Sequence, residues 1–373
     1  MSPPKRTIEA SAAAQIAELA AQSRRVTSYD VALVAGVSQS AVSRCFKPGA
    51  SVSKATFARV MKAAALLDYV PNAAARSLIT RRTNMVAVLI TNRANLYYPE
   101  LLAELSQQLT PHGKRVLLFP LAGESEAARV LGDLWQFQVD GVIAAAHLPA
   151  TAVAEFRRHR VPLVVFNRLL DDHNVHTVSC DHRAAGRMLA ARLAAAGHRQ
   201  FGVITGSTDS VVAVSRLLGV AEQLAELGLP PPQVVTGEFD YHSGAAGLKT
   251  LIARHGGIPD AIICANDVMA IGCLDCARHE LGIDVPGQLS VAGLDAVEPS
   301  NWLSYNLTTL RQPMAQMAAA AAQQVCRLIE QPELAAARQL FDAQFIEGAT
   351  ARLHRHSATT GQPFSLPQPL AIM

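Results

Sequence analysis

From Met85 onward, short apolar runs recur at the spacing of a repeated strand–helix unit. They are MVAVLIT (85–91), RVLLF (115–119), GVIAA (141–145) and PLVVF (162–166), then FGVIT (201–205), DAIIC (260–264) and LSVAG (289–293). Runs this short and this apolar need cover on both faces, which parallel sheets flanked by helices provide. Amphipathic segments fall between them, at 98–109, 183–196, 214–227 and 267–281. Two successive groups of runs predict two similar α/β lobes, with ligands bound beyond the carboxyl ends of the strands, between the lobes. A last helix is expected over 313–330 and a strand near Phe345.

A different pattern precedes this body. In TSYDVALVAGVSQSAVSRCFK (27–47), Thr27 caps a helix whose first turn carries Asp30. Gly36 breaks that helix, Val37 fills the corner, and Ser38 caps a second helix. The second helix turns Ala41 and Val42 inward and leaves Gln39, Ser40, Ser43 and Arg44 facing out, with no acid among them. Two short helices joined by a glycine turn form a helix-turn-helix, whose second helix fits the major groove. Ser53 caps a third helix, on which Val60, Ala64 and Leu67, joined by Phe57 and Met61, form an apolar stripe that closes a three-helix core. Arg44 stands where a bidentate guanine contact can form.

Charge follows the same division. The net charge of the 373 residues is only +3. Lys and Arg outnumber acids well in residues 1–84, however, and the remainder is mildly acidic. A basic head on an acidic body calls for a polyanionic partner of the head alone. No apolar stretch is long enough to span a bilayer, and Glu9, Gln15 and Glu18 interrupt the Ala-rich N-terminus where a secretory signal would be apolar. The expected location is the cytoplasm, where six scattered cysteines stay reduced.

Several features carry no function in this reading. Cys273 and Cys276 form a lone CxxC inside a helix, without a second pair to complete a zinc site. His173 and His176 are expected in a polar, solvated loop. Gly202 and Gly206 make no dinucleotide fingerprint. No metal site, no cofactor and no catalytic cluster is expected.

The chain resembles the lactose-repressor family of bacterial transcription regulators. The segments that carry the resemblance are TSYDVALVAGVSQSAVSRCF (27–46), ALLDYVPNAAARSL (65–78), VDGVI (139–143), AGHRQFGVITG (196–206), SRLLGV (215–220), ICANDVMAIG (263–272), VAGLDAVEP (291–299) and LTTLRQP (307–313), in family order. The resemblance implies a homodimeric repressor that binds a near-palindromic double-stranded operator under the control of a small effector. It implies DNA contacts from Thr27, Tyr29, Ser38, Gln39, Ser40, Ser43, Arg44 and Lys47. It also implies a hinge helix bearing Asn72, Ala75 and Leu78, with Leu78 inserted into the minor groove. For the body it implies a periplasmic-binding-protein-like fold whose effector meets Arg216, Asn266 and Asp295, with Tyr97, Tyr98 and Tyr241 as aromatic walls. Asn167 stands before Arg168 where the family often has Asp, and Arg93 follows the first strand. A lost acid and an added base point to an anionic effector, a sugar acid or sugar phosphate, beside the neutral sugars.

The expected organisation is a loose N-terminal arm (1–24) with one amphipathic helix over 8–21, a helix-turn-helix domain (25–71), a hinge (72–84), an effector-binding and dimerisation domain (85–353) and a disordered tail (354–373). Within 85–353, lobe one takes about 85–181 and 312–340, and lobe two about 182–311 and 341–353. The rivals are a solute-binding protein with no DNA function, against which the basic head counts, and a doubly wound enzyme, for which no catalytic cluster appears.

Overall fold

The computed structural model describes residues 7–47, 49–72, 82–91, 96–121, 127–168 and 174–354. The chain divides into two compact units, Met1–Thr83 and Asn84–Met373.

In the first unit, α1 (Ile8–Ala21), α2 (Ser28–Ala35), α3 (Gln39–Cys45) and α4 (Lys54–Leu66) share one core. Val31, Val42, Val60 and Ala63 are sealed from solvent at its centre. The turn between α2 and α3 needs a left-handed residue, and Gly36 supplies it at φ 64°. Ser38 Oγ then accepts from Ala41 N (3.3 Å) and starts α3, and Ser53 Oγ accepts from Thr56 N (3.2 Å) and starts α4. Two readings change here. The helix expected over 8–21 forms as α1, but not in a loose arm: Ala12 is buried in the core shared with α2 and α4, and Leu19 is buried as well. Phe57 and Met61, expected in the α4 stripe, are 46% and 38% exposed. The facing helices α2 and α3 are only eight and seven residues long, and they cover only the stripe of Val60, Ala63, Ala64 and Leu67.

The second unit is built on two parallel sheets. One has the order β11-β5-β4-β3-β1-β2, comprising Arg338–Phe341, His176–Cys180, Leu163–Phe166, Gly141–Ala145, Met85–Thr91 and Arg115–Leu121. The other has the order β7-β6-β8-β9, comprising Gln233–Thr236, Phe201–Thr205, Ala261–Cys264 and Ser290–Ala292. An antiparallel pair, β10 (Thr309–Arg311) with β12 (Gln344–Ile346), lies outside both. In each sheet the second strand lies to one side of the first and the third to the other. This places a topological switch point between β1 and β3, and another between β6 and β8. Six of the seven apolar runs became fully or largely buried strands because helices cover both faces; β3 and β6 are buried at every residue.

His176, expected in a solvated loop, is instead buried at the start of β5. Its Nδ1 accepts from Gln324 Nε2 (2.9 Å) and Ala337 N (3.2 Å), so the proton sits on Nε2, facing the Leu334 carbonyl (3.3 Å). All six cysteines are free, and Cys273 and Cys276 are buried in the core around β8. Among the described residues, no group of His, Cys, Asp and Glu could hold a metal, and no helix is long and apolar enough to cross a membrane.

Candidate functional site

The head presents the polar face of α3. Ser40, Ser43 and Arg44 are exposed on it, Ser38 caps it, and Lys47 follows it in solvent. Gln39 is half-buried because its Nε2 donates to Ser28 Oγ (3.2 Å), which ties the first residue of α3 to the first residue of α2. Thr27 precedes α2, and Tyr29, in its first turn, is 72% exposed. The Gln39–Ser28 bond sets the two helix N-termini side by side, a disposition that favours phosphate. Asn72 is exposed at the end of this described stretch. Ala75 and Leu78 lie outside the described residues.

In the body, a cleft of about 470 Å³ opens beyond the ends of β1, β3 and β6, at the two switch points. Thr91, Ala145, His147, Ser207 and Asp209, which line it, all lie at or just beyond those strand ends. Of the residues assigned to effector contact, Tyr97, Tyr98, Asn167, Arg168, Arg216 and Asp295 line the cleft.

Buried hydrogen bonds link these side chains across the lobes. Asn167, at the end of β4, adopts the left-handed backbone region (φ 53°) that Asn tolerates better than most residues. Its Oδ1 accepts from His182 Nε2 (2.9 Å). His182 opens the helix His182–Ala195, and its Nδ1 accepts from Arg216 Nε (3.3 Å) on the helix Val211–Glu226. Arg216 also donates to the Ala265 carbonyl and, from one terminal nitrogen, to Asp295 Oδ1 (2.6 Å). Gln312 Nε2 donates to the same oxygen (2.7 Å), and Tyr97 OH donates to Gln312 Oε1 (3.4 Å), which returns the chain to lobe one. Tyr98 OH shares a hydrogen bond with Thr91 Oγ1 (2.5 Å) and donates to the Ala145 carbonyl (3.4 Å). The Arg216–Asp295 pair is almost fully shielded, with side chains 5% and 6% exposed.

Two assigned residues do not line the cleft. Tyr241 turns away and donates to Asp275 Oδ2 (2.9 Å), beside Tyr305, which donates to the same oxygen (3.2 Å). Asn266 caps the helix Asp267–Asp275 through Met269 N (3.0 Å), while its Nδ2 holds the Phe239 carbonyl (3.0 Å). It shapes the wall from behind, since Phe239 itself lines the cleft. Arg93 lies outside the described residues. Sequence reading missed Asp209, Glu238, Asp240 and Gln312, which line the cleft. Three of these follow β6 or β7, and position just beyond a strand end was the available signal.

Burial, then the nearby Arg216 and Arg168, push the His182 pKa well below its ordinary value, so the ring is neutral, as its two hydrogen bonds require. A histidine whose folded pKa is depressed contributes stability above its unfolded pKa, and that contribution is lost as pH falls below about 6.5. His182→Gln should therefore flatten the loss of body stability between pH 6.5 and 5 by up to about 1.4 kcal/mol per pH unit. Urea unfolding of both proteins at several pH values measures this; parallel profiles would show that His182 takes up its proton at the same pH whether folded or unfolded.

A helix-turn-helix unit and a two-lobed α/β unit with a polar, ligand-sized cleft define an effector-sensing DNA-binding regulator. Comparison with known proteins gives the particular family. Residues 27–72 match the model of bacterial regulatory proteins of the lacI family, and residues 190–351 match a periplasmic binding protein-like domain. The HTH-type transcriptional regulator AscG of Escherichia coli K12 is 32% identical over 298 residues, covering 78% of this chain and 88% of AscG. The ribose operon repressor of Haemophilus influenzae is 29% identical, covering 82% of this chain and 92% of that protein. The lac repressor dimer bound to operator and the anti-inducer ONPF superposes with a TM-score of 0.80 at 25% identity, covering 88% of this chain and 99% of that one. The chain belongs to the lacI family of bacterial regulatory proteins and is a DNA-binding transcriptional repressor.

Proposed function

We propose that two copies of this chain grip a near-palindromic operator with their heads and that the interlobe cleft takes a small polyhydroxylated effector controlling that grip. The hydrogen-bonded chain Asn167–His182–Arg216–Asp295–Gln312–Tyr97 carries the reading, because it places fixed donors and acceptors from both lobes around one cleft. A ligand that exchanges hydroxyls with this chain has different contacts in an open and a closed lobe arrangement, which is the condition for shifting the balance between them. The coupling to operator affinity is typically about 1–3 kcal/mol. The same side chains hydrogen-bond one another with no nucleophile–base pair among them, which supports a binding role and not a catalytic one.

The charge of the lining bears on the effector. Its described residues include Asp209, Glu238, Asp240 and Asp295 against Arg168 and Arg216, a balance of 2 − 4 = −2. An added anion meets four carboxylates there, and Arg216 is already paired with Asp295. A neutral sugar or glycoside therefore fits this lining better than a sugar acid or sugar phosphate. One similar structure is that of the regulator CelR in complex with cellobiose (TM-score 0.68, 28% identity, covering 88% of this chain and 100% of that one). Thermal-shift measurements with matched sets of neutral sugars, sugar acids and sugar phosphates, followed by mobility shift of DNA from the chain's own promoter with each hit, test the proposal. Stabilisation by phosphorylated sugars alone would reverse the charge argument, and no DNA binding under any condition would end the repressor reading for this chain.

On the head, Arg44→Ala should lower operator affinity by about 1–3 kcal/mol and relax discrimination at a single base pair, as loss of a bidentate base contact does. Anisotropy titrations against the operator and its single-base variants measure both. A uniform loss across all sequences would make Arg44 a phosphate contact.

A further inference from the structure

The lacI-family match begins at Thr27, yet the first helix of the described head, α1, begins nineteen residues earlier, at Ile8. Ile8, Ala12, Gln15 and Leu19 recur at helical spacing; Ile8 and Ala12 pack in the core shared with α2 and α4, and Ala12, Gln15 and Leu19 are buried, with exposures of 2%, 6% and 5%. A glutamine in such a stripe needs a partner. Gln15 Nε2 donates to Asp30 Oδ1 at 2.9 Å.

Asp30 is the acid in the first turn of α2, and it is only 4% exposed. Its carboxylate collects a full set of donors. Arg24, in the link between α1 and α2, grips it with both terminal nitrogens (2.9 Å to Oδ2, 2.8 Å to Oδ1). Thr27 gives its backbone N–H and its hydroxyl to Oδ2, both at 2.7 Å. These donors, Arg24 foremost, hold the Asp30 carboxyl down to about 2, so it stays ionised throughout the working range of the protein. Three of the five donated hydrogen bonds come from residues that precede the family match. The arrangement then continues outward. Asp30 fixes Thr27 at the start of α2, the next residue, Ser28, accepts from Gln39, and Gln39 is the first residue of α3.

We propose that Gln15 and Arg24 are positioning residues for DNA reading, and that α1 is a built-in fourth helix of the head which holds the first turns of α2 and α3 in register through Asp30. This rests on the DNA-binding reading above. Without α1 and its link, a buried carboxylate keeps only its local Thr27 donors, and the end of α2 that carries Thr27 and Tyr29 is released. Arg24 acts through Asp30 and not on DNA, because its guanidinium is occupied by the carboxylate.

The test uses the full-length protein and the tightest duplex that the wild-type chain selects from a random-sequence library, with affinity read by anisotropy across a salt series. Arg24→Ala and Gln15→Ala should each weaken binding about tenfold, with the slope of log affinity against log salt unchanged; Arg24→Lys should recover most of the loss. In an Asp30→Asn background the further loss caused by either alanine change should shrink to less than threefold, because the shared partner has gone. Far-UV circular dichroism at the assay temperature keeps the comparison to variants whose head is folded. A variant whose head does not fold is replaced by Gln15→Glu, which sets a second carboxylate against Asp30, or by Arg24→Gln. A salt slope reduced by about one in Arg24→Ala would make Arg24 a phosphate contact and overturn the positioning role. Unchanged affinity in both alanine variants would overturn the proposal while leaving the repressor reading intact, whereas failure of the wild-type chain to select any duplex would overturn that reading itself.

Discussion

Arg216→Ala should destabilise the body by about 3–5 kcal/mol and abolish effector binding, the cost of leaving one member of a buried ion pair without the other. The guanidinium satisfies three groups at once: Asp295 Oδ1, the Ala265 carbonyl and His182 Nδ1. Its removal leaves the Asp295 carboxylate with Gln312 as its one remaining side-chain hydrogen bond among those described, at a position 9% exposed. Total stabilities of folded proteins are about 5–15 kcal/mol, so this loss is a large fraction of what the body has. The double change Arg216→Met with Asp295→Leu should be milder than Arg216→Ala, because it removes both charges while keeping volume. Both tryptophans, Trp135 and Trp302, lie in the body, so fluorescence-monitored urea unfolding reads that unit alone. If Arg216→Ala lost less than about 1 kcal/mol with an unchanged urea slope, the pair would have to be open to water in solution.

How much of this was legible in the sequence depends on how each residue meets its surroundings. Strands such as β3 and β6 are apolar because helices cover both faces, and their hydropathy announces them. β7 (QVVT) and β11 (RQLF) were not legible, since each is a sheet edge with open residues. β5 (HTVSC) is buried throughout, yet its polar residues find partners inside the protein: His176 with Gln324, and Ser179 with the Cys180 carbonyl. Hydropathy cannot see a buried polar group that is satisfied. The N-terminal helix itself was legible, but its docking was not, because its buried stripe contains Ala12 and Gln15 and resembles an exposed one. In the cleft, Arg216 and Asp295 could be named from the family pattern. Their pairing could not, because 79 positions separate them and only the two-lobed topology brings them together. Tyr241 was read as an aromatic wall from its alignment; its helix carries the ring to Asp275 and Tyr305 instead.

Gly219→Ala should destabilise the body by about 1–3 kcal/mol and weaken effector binding, although it adds only one methyl group. In an ordinary helix interior the same change stabilises by about 1 kcal/mol, so the expected sign is reversed. The reason is a reciprocal contact between the helices His182–Ala195 and Val211–Glu226. A Cβ on Gly219 would lie 2.0 Å from the Arg183 carbonyl oxygen, and a Cβ on Gly186 would lie 2.2 Å from the Arg216 carbonyl oxygen. Both obstacles are backbone, which cannot rotate aside as a flexible side chain can, so the two helices must separate. The same helices carry His182 and Arg216, whose 3.3 Å hydrogen bond has no slack to absorb a further separation of about 1 Å. The bond breaks, Arg216 loses one of its three partners, and the link to Asn167 on the other lobe goes with it. Gly132, in the helix Ala127–Gln136, is the internal control: nothing lies within 4 Å of its added Cβ, and Gly132→Ala should hold or raise stability. Urea midpoints for the two variants should therefore move in opposite directions from wild type. If both moved upward, the helices would have to repack around the methyl without cost, and the close crossing could not be what holds His182 against Arg216.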